Sequence, residues 1–112
     1  MADSTKASLS DLLASMDPDP DKPVGLDSVW TVASMIGGTI DAGVWSATRA
    51  TWDELDYPVD EVIVMIEGHL RITEPDGEPH DLRRGDMYYF PKGWAGRWEV
   101  VEDMQKIYFV VA

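Results

Sequence analysis

One stretch near the N-terminus spaces its hydrophobic residues with the period of a helix. The apolar side chains at positions 9, 12, 13 and 16 follow the i, i+3, i+4, i+7 pattern of a single helix face. Ser8 and Asp11 stand where a capping box would close the first turn. The pattern predicts a short amphipathic helix over Ser8–Met16, which must pack against other structure to be stable.

An acidic, proline-rich segment follows this helix. Residues 17–23 read Asp-Pro-Asp-Pro-Asp-Lys-Pro, and the repeated prolines exclude a continuing helix. The charged side chains suit solvent, so we expect a linker here. The predicted organisation is therefore an N-terminal helix and Pro/Asp-rich linker over residues 1–28, and one barrel over residues 29–112.

From Val29 onward the pattern changes to short runs of β-branched and aromatic residues. Evenly spaced short strands separated by turn residues predict an all-β sandwich or barrel. The turn residues are Gly37-Gly38, Pro75-Asp76-Gly77, Arg84-Gly85-Asp86 and Pro91-Lys92-Gly93. The predicted strands are Val29–Met35, Val44–Ala50, Asp60–Glu67, His69–Thr73, His80–Leu82, Met87–Phe90, Ala95–Val101 and Gln105–Val111.

Alternation of polar and apolar residues assigns faces in several of these strands. Arg97 and Glu99 alternate with Trp98, which predicts the charges in solvent and the indole in the core. By the same rule the apolar residues 70 and 72 point inward and His69 lies on the solvent face. Glu61 is an anomaly because it shares a face with apolar residues 63 and 65. It lies either in solvent at the strand end or in a pocket.

Composition and charge narrow the possible partners. The chain has 112 residues, 45% hydrophobic and 27% charged, a balance typical of one globular domain. Nine Lys and Arg against 21 Asp and Glu give a formal net charge of -12 without a basic stripe, so neither nucleic acid nor membrane is an expected partner. The chain has no cysteine, which excludes disulfides and thiolate zinc sites. No apolar leader or membrane-length run occurs, so we expect a cytoplasmic protein.

Two spaced motifs resemble those of the cupin family. Glu61 precedes Gly68 by six intervening residues, and Gly85 precedes Pro91-Lys92-Gly93 by five. The ordered set of motifs is similar to small single-domain cupins of unknown function that are grouped with the (S)-ureidoglycine aminohydrolase cupin domain. The resemblance implies a cupin double-stranded β-helix, or jelly-roll barrel, behind the short helix. The further motifs are Gly43-Val44-Trp45, Asp60-Glu61, Ile66-Glu67-Gly68, Trp98-Glu99 and Lys106-Ile107-Tyr108.

The positions at which this resemblance implies metal ligands hold unsuitable residues. The two first-motif histidines are replaced by Leu55 and Tyr57, or by acidic residues 54 and 56 if the gap is one residue longer, and the second-motif histidine falls at Gly96. Only Glu61 could serve, whereas a transition metal needs about three or four ligands. The acidic residues between 53 and 60 lack the pattern of a calcium loop, and both histidines are expected in solvent. We therefore expect no metal and no cofactor.

The resemblance also implies a site inside the barrel. It places Glu61 at the barrel mouth near Trp45 and Trp98, while Lys106 and Tyr108 share one face of the last strand. Such charged and aromatic side chains predict a site for a small polar or zwitterionic molecule. The candidate catalytic residues are Glu61 as general acid or base, Lys106, and Tyr108 as proton donor. The candidate ligand-binding residues are Trp45, Tyr57, Trp94 and Trp98.

Three hypotheses about function remain open at this point. The first is a metal-free protein that binds a small polar molecule, in nitrogen or amino-acid metabolism. The second is an enzyme, a ureidoglycine aminohydrolase-like hydrolase, lyase or isomerase that uses the three candidate catalytic residues. The third is a purely structural module whose Leu9–Met16 helix mediates assembly. Glu61 and Lys106 could also simply form a structural ion pair that closes the barrel mouth. Apolar residues on both strand faces also predict a homodimer, because a C2 dimer is the commonest way to cover an outer face.

Overall fold

The computed structural model of the protein describes residues 6–22, 24–33 and 39–111. One helix, α1 (Leu9–Ala14), precedes the strands, and Ser8 caps it by accepting a hydrogen bond from the Asp11 backbone N–H. The described ranges hold no helix of the length and apolarity that a membrane crossing requires. The strands are β1 (Asp17–Pro18), β2 (Gly25–Ala33), β3 (Thr39–Ala47), β4 (Ala50–Glu54), β5 (Asp60–Thr73), β6 (His80–Arg83), β7 (Met87–Phe90) and β8 (Gly96–Val111).

The two longest strands, β5 and β8, organise the whole fold. They pair antiparallel along almost their full lengths. The first half of β5 and the second half of β8 form the middle of one sheet, with β7 on one side and β3, β2 and β1 on the other. Their remaining halves form the middle of a second sheet, flanked by β6 and β4. The prediction of an all-β jelly roll with a short N-terminal helix is confirmed.

A bulge at Gly68 allows β5 to pass from one sheet to the other. The register of β5 against β8 shifts between Met65 and Leu70. Gly68 has a φ of 84°, and a Cβ atom there would lie 2.2 Å from the carbonyl oxygen of Asp103. Both the backbone angle and the close approach of β8 therefore require glycine at this position.

The core lies between the two sheets. Trp98 is 2% exposed and stacks on Phe90 with ring centroids 4.9 Å apart, which joins the second sheet to β7 of the first. Leu70 and Ile72 are fully buried. The inward orientation predicted for these three residues of β5 and β8 is confirmed.

The prediction for His69 was wrong. Its side chain is buried, at 6% exposure, and its Nε2 atom lies 2.7 Å from the Asp81 carboxylate on β6. The physical reason is the bulge, because its register shifts fall on either side of His69 and interrupt strict alternation, so that His69 and Leu70 are both buried. His80, in contrast, is exposed as expected.

Several strand boundaries differ from the expected ones. The sequence predicts two separate strands on either side of Gly68 and two more on either side of residue 103, whereas the structure has one long strand, β5 and β8 respectively, at each place. The strands β1 and β4 were not predicted. The predicted turns at 75–77, 84–86 and 91–93 do lie between strands. The end of the first predicted strand, at residues 34–35, and the Gly37-Gly38 turn lie outside the described residues.

The N-terminal segment packs on the sheet. Residues 17–18, expected in a solvated linker, pair with β2, and β2 begins at Gly25, so that the boundary predicted at residue 28 falls inside a strand. The end of α1 lies beside β2 and β3, where Ser15 Oγ is 3.3 Å from Ser28 Oγ and Ser46 Oγ is 3.9 Å from Met16 Sδ. This packing brings residues 19–22 to the edge of the space between the sheets.

Candidate functional site

A cavity of about 180 Å³ lies between the two sheets. Its walls come from β2, β3, β4, β5 and β8, from the loop after β4, and from the segment after β1. The charged lining residues are Asp19, Lys22, Asp27, Glu54, Glu61 and Lys106. The aromatic lining residues are Trp45, Trp52, Tyr57, Trp98 and Tyr108.

Glu61 and Lys106 form a buried ion pair in the cavity wall. Both point between the sheets, Glu61 from the start of β5 and Lys106 from β8. The Oε1 and Nζ atoms are 3.5 Å apart, and the residues are only 6% and 4% exposed. The Tyr57 hydroxyl donates a hydrogen bond to the same carboxylate oxygen. Each buried charge is thereby compensated, as stability requires.

The Lys106 ammonium is also surrounded by aromatic rings. Its Nζ atom lies 4.8 Å from the ring centroid of Trp98, 5.0 Å from that of Trp45 and 5.7 Å from that of Tyr108. Ring faces attract a cation at these distances, and the attraction is stronger when water is excluded. The aromatic rings therefore help to hold the ammonium in place inside the fold.

A second acid–phenol contact lies on the β2 side of the cavity. The Tyr108 hydroxyl donates to Asp27 Oδ1 at 2.8 Å. Burial raises the pKa of Asp27, and burial together with the neighbouring Asp27 carboxylate raises the pKa of Tyr108, so the phenol stays protonated at neutral pH. Gly43 makes room for this contact, because a Cβ atom there would lie 2.7 Å from the Tyr108 hydroxyl oxygen.

The segment after β1 is fastened to the cavity wall at two points. Trp45 Nε1 donates to Asp19 Oδ2 at 2.9 Å. Lys22 Nζ lies 3.1 Å from Glu54 Oε1, and that oxygen also accepts a hydrogen bond from Trp52 Nε1 at 2.9 Å. The N-terminal segment thus supplies two charged groups to the site and connects β3 to β4 across its edge.

Sequence comparison identifies the family to which this fold belongs. Residues 36–108 match the model of the EutQ-like cupin domain. The chain belongs to this family. The resemblance to cupins is thereby confirmed, and the finer grouping with the ureidoglycine aminohydrolase domain stays a prediction.

Solved structures share the cupin fold. EutQ from Clostridium difficile aligns with a TM-score of 0.61 and 21% identity, over 82% of this chain and 72% of that chain. A DUF861 family protein from Thermotoga maritima is 32% identical over 58% of this chain and 73% of its own, with a TM-score of 0.54. Ectoine synthase from P. lautus has a TM-score of 0.72 at 16% identity, over 96% of this chain and 77% of that chain. A search among curated proteins finds no match.

The residues of this cupin do not fit a metal centre at the positions that the resemblance implies. Leu55 is 80% exposed, Gly96 has no side chain, and Tyr57 is hydrogen-bonded to Glu61. Glu61 itself is paired with Lys106, whose ammonium already balances its charge. Among residues 6–22, 24–33 and 39–111, no three His, Cys, Asp or Glu side chains converge in a way that could hold a metal ion.

The acidic stretch before β5 is engaged in other contacts. Asp53 pairs with Arg97 at 3.1 Å. Asp60 accepts hydrogen bonds from the Tyr89 hydroxyl and the Lys92 backbone N–H, both at 2.9 Å, and these bonds lower its pKa. These two carboxylates therefore stabilise local structure, and among the described residues the acidic stretch forms no group that could hold a metal ion.

The structure brings six of the seven candidate residues together around the cavity. Glu61, Lys106, Tyr108, Trp45, Tyr57 and Trp98 all line it. Trp94 does not: its Nε1 donates to Glu74 at 3.1 Å, and its ring packs against Phe90 with centroids 4.9 Å apart. Tyr108 contacts Asp27 and not Glu61, so the phenol beside the Glu61 carboxylate is Tyr57.

Sequence reasoning missed five lining residues. Trp52 and Glu54 lie two positions apart on β4, and their alternation with the more exposed Thr51 and Asp53 was a usable signal. The remaining three are Asp19, Lys22 and Asp27, which lie in the segment that was expected to be a linker. No local pattern distinguishes their side chains from solvated ones.

Proposed function

We propose that this cupin binds a small polar molecule in the cavity between its sheets, and that it does so without a metal ion. The observation that carries the proposal is the wall itself, in which three indoles surround buried and partly buried charges. Apolar walls with a few fixed polar groups are the usual composition of a small-molecule site. The volume of about 180 Å³ is below the roughly 300–1,000 Å³ of pockets for drug-sized ligands, which favours a compact metabolite.

A purely structural role explains the buried charges less well. Apolar residues of similar size in place of a buried ion pair are often neutral or stabilising. A core selected only for stability therefore gains nothing from Glu61 and Lys106, whereas a ligand site needs oriented charges. The ion pair and its aromatic surroundings support binding over packing.

Ligand screening with matched tryptophan variants tests the proposal. Small amines, amino acids, ureides and sugars would be screened by thermal shift and by intrinsic fluorescence. A ligand is expected to raise the melting temperature and to change the fluorescence. Trp52→Phe, in the cavity wall, should reduce the fluorescence change, and Trp94→Phe, outside the cavity, should preserve it. A screen in which no compound alters either signal would rule the binding function out.

One contact supports catalysis as a second candidate. Tyr57 donates to the Glu61 oxygen that lies 3.5 Å from Lys106, so a phenol, a carboxylate and an ammonium meet at one point. Such a group could move protons for a hydrolase, lyase or isomerase of the ureidoglycine aminohydrolase type. Turnover should then survive treatment with EDTA and fall about 100-fold or more in Glu61→Gln. Tyr108→Phe would test whether the phenol bonded to Asp27 also takes part. Turnover that is unchanged in Glu61→Gln excludes this candidate.

We also propose a cytoplasmic homodimer. The absence of cysteine from the sequence fits a reducing compartment or one whose redox state does not matter to the chain. On the outer face of the first sheet, Val62 has Tyr89 and Phe109 as direct neighbours on the two adjacent strands, and the three are 39%, 55% and 44% exposed. A second copy of the chain could cover such a row of apolar side chains. Light scattering coupled to size-exclusion chromatography would measure the oligomeric state.

A further inference from the structure

We infer that the cavity takes a small aldehyde or ketone and that the Lys106 amine binds it covalently, as a protonated imine. This inference rests on the proposed binding function and names both the class of ligand and the atom that holds it. Three features of the cavity carry it: a lysine nitrogen open to the cavity, a carboxylate beside it that can move its proton, and aromatic walls that suit the cationic product.

The Lys106 nitrogen is buried in the fold but open to the cavity. At 3.5 Å from Glu61 Oε1 it forms an ion pair that is looser than a charge-assisted hydrogen bond, which spans about 2.7–2.9 Å. Among the described residues, Trp98 Nε1 is the one fully enclosed side-chain nitrogen or oxygen without a hydrogen bond. The Lys106 Nζ atom therefore keeps some accessible surface, and because Lys106 lines the cavity, that surface faces the cavity.

Glu61 is placed to move the protons that imine formation requires. A lysine attacks a carbonyl carbon only as the neutral amine, and Glu61 is the neighbouring acceptor for the proton of Nζ. The nitrogen lone pair then forms the C–N bond while the C=O π electrons move to oxygen, and one N–H proton passes to that oxygen to give a carbinolamine. Glu61 returns its proton to the hydroxyl, which leaves as water while the nitrogen lone pair closes the C=N bond.

This reaction is balanced without a further reactant. One ammonium and one carbonyl group give one iminium and one water, so the positive charge stays on the same nitrogen. Glu61 ends ionised, as it began, and its ion pair with that nitrogen is kept. The Tyr57 hydroxyl donates to the same Glu61 oxygen and so holds the carboxylate beside the nitrogen.

The aromatic walls suit the product as well as they suit the free lysine. Nζ lies 4.8 Å from the ring centroid of Trp98 and 5.0 Å from that of Trp45, distances at which a ring attracts a cation. An iminium retains this charge and adds an apolar group to it. Trp52 stacks on Trp98 with centroids 5.6 Å apart and extends the apolar wall that the carbon chain of the ligand would contact.

The size of the cavity limits the carbonyl compound. Its volume of about 180 Å³ holds about six groups of the roughly 30 Å³ that one water takes in the liquid. A short aliphatic aldehyde such as propanal fits this space, and a fused-ring aldehyde such as naphthaldehyde does not.

Competition among the lysines of one chain tests the inference. The sequence has four, and Lys6 and Lys92 are exposed whereas Lys106 is 4% exposed. The intact protein would be incubated with propanal and sodium cyanoborohydride, which reduces an iminium to a stable secondary amine, and peptide mass spectrometry would assign the adducts. Burial alone predicts that Lys106 reacts most slowly. We expect it instead to carry about tenfold or more adduct than Lys92 at early times.

A larger aldehyde shows whether the cavity selects the compound. With naphthaldehyde the ratio of Lys106 adduct to Lys92 adduct should fall about tenfold or more, because the rings cannot enter. The ratio within one chain cancels the different reactivities of the two aldehydes. Equal ratios for both aldehydes would show that the cavity does not select, and would overturn the inference.

A matched pair of variants separates covalent from non-covalent binding. Without the reductant, propanal should raise the melting temperature more than propanol, an alcohol of the same size that cannot form an imine. Lys106→Arg keeps the positive charge and should remove this difference, and Lys92→Arg at an exposed position should leave it unchanged. A difference that survives in Lys106→Arg would assign the imine to another amine and overturn the inference.

The outcomes also separate this inference from the proposed function. If Lys106 is the slowest lysine with propanal while a compound of the wider screen binds, the inference is wrong and the binding function stands. If Lys106 is the slowest lysine and no compound of the wider screen gives a response, both fail. Preferential adduct at Lys106 that depends on the size of the aldehyde supports both.

Discussion

The buried pair between Glu61 and Lys106 makes a sharp prediction about stability. Lys106→Met removes the ammonium but leaves the Glu61 carboxylate buried without its cationic partner. Removing one partner of a buried pair costs about 3–5 kcal/mol, because the remaining charge loses its compensation. Lost cation–π contacts with Trp45 and Trp98 add about 1 kcal/mol. Against a typical domain stability of about 5–15 kcal/mol, this loss is a large share.

The chain contains a matched control for this substitution. Arg97 and Asp53 lie 3.1 Å apart, closer than the 3.5 Å of the buried pair, but their side chains are 60% and 61% exposed against 5% and 8% for Lys106 and Glu61. Exposed pairs contribute about 0–1 kcal/mol because water screens them. Arg97→Met should therefore lower the free energy of unfolding by less than about 1 kcal/mol, although its pair is geometrically the better one.

A double-mutant cycle followed by urea unfolding would measure both effects. Tryptophan fluorescence reports the transition, and linear extrapolation gives the free energy of unfolding. Glu61→Gln combined with Lys106→Met removes both charges of the pair, so the double variant should recover to within about 1 kcal/mol of the wild type. If Lys106→Met costs no more than Arg97→Met, or if the single losses simply add in the double variant, burial does not determine the strength of this pair.

Three further predictions concern pH and assembly. Burial holds the folded-state pKa of Asp27 above its ordinary value, so its ionisation destabilises the fold at neutral pH, and this penalty disappears as pH falls through that raised pKa. Asp27→Asn should gain up to about 1 kcal/mol in urea unfolding at pH 7 and nothing near pH 3; a loss at pH 7 contradicts this. The hydrogen bond from His69, and then Arg71, lowers the pKa of Asp81, so its stabilisation is present above about pH 4 and is lost as pH falls through the lowered value. Asp81→Asn should flatten the acid side of the stability profile, and an unchanged profile would refute the assignment. Phe109→Glu should convert the proposed dimer to a folded monomer in light scattering, and a dimer that persists would exclude this face.

The parts of the fold that the sequence predicts are those that local rules determine. Alternation along β5 and β8 predicts that Ile72 and Trp98 are buried, because neighbouring side chains of a strand must point to opposite faces. The same rule fails at His69, where two register shifts break the alternation. A bulge depends on the partner strand, and the only local sign of it is Gly68, whose positive φ a glycine accepts at no steric cost.

The candidate site was predicted less completely than the fold because its contacts join distant parts of the chain. The pattern leaves Glu61 either in solvent or in a pocket, and only the resemblance to cupins implies a place at the barrel mouth. Which groups meet it depends on the pairing of β5 with β8. Tyr108 contacts Asp27 across 81 positions, in a register that no local pattern reveals. Asp19 is further hidden by its composition, because its neighbours Pro18 and Pro20 indicate a solvated linker. Once β1 pairs with β2, however, Asp19 lies beside Trp45, so one of the charged groups of the site comes from the segment that looks least like a site.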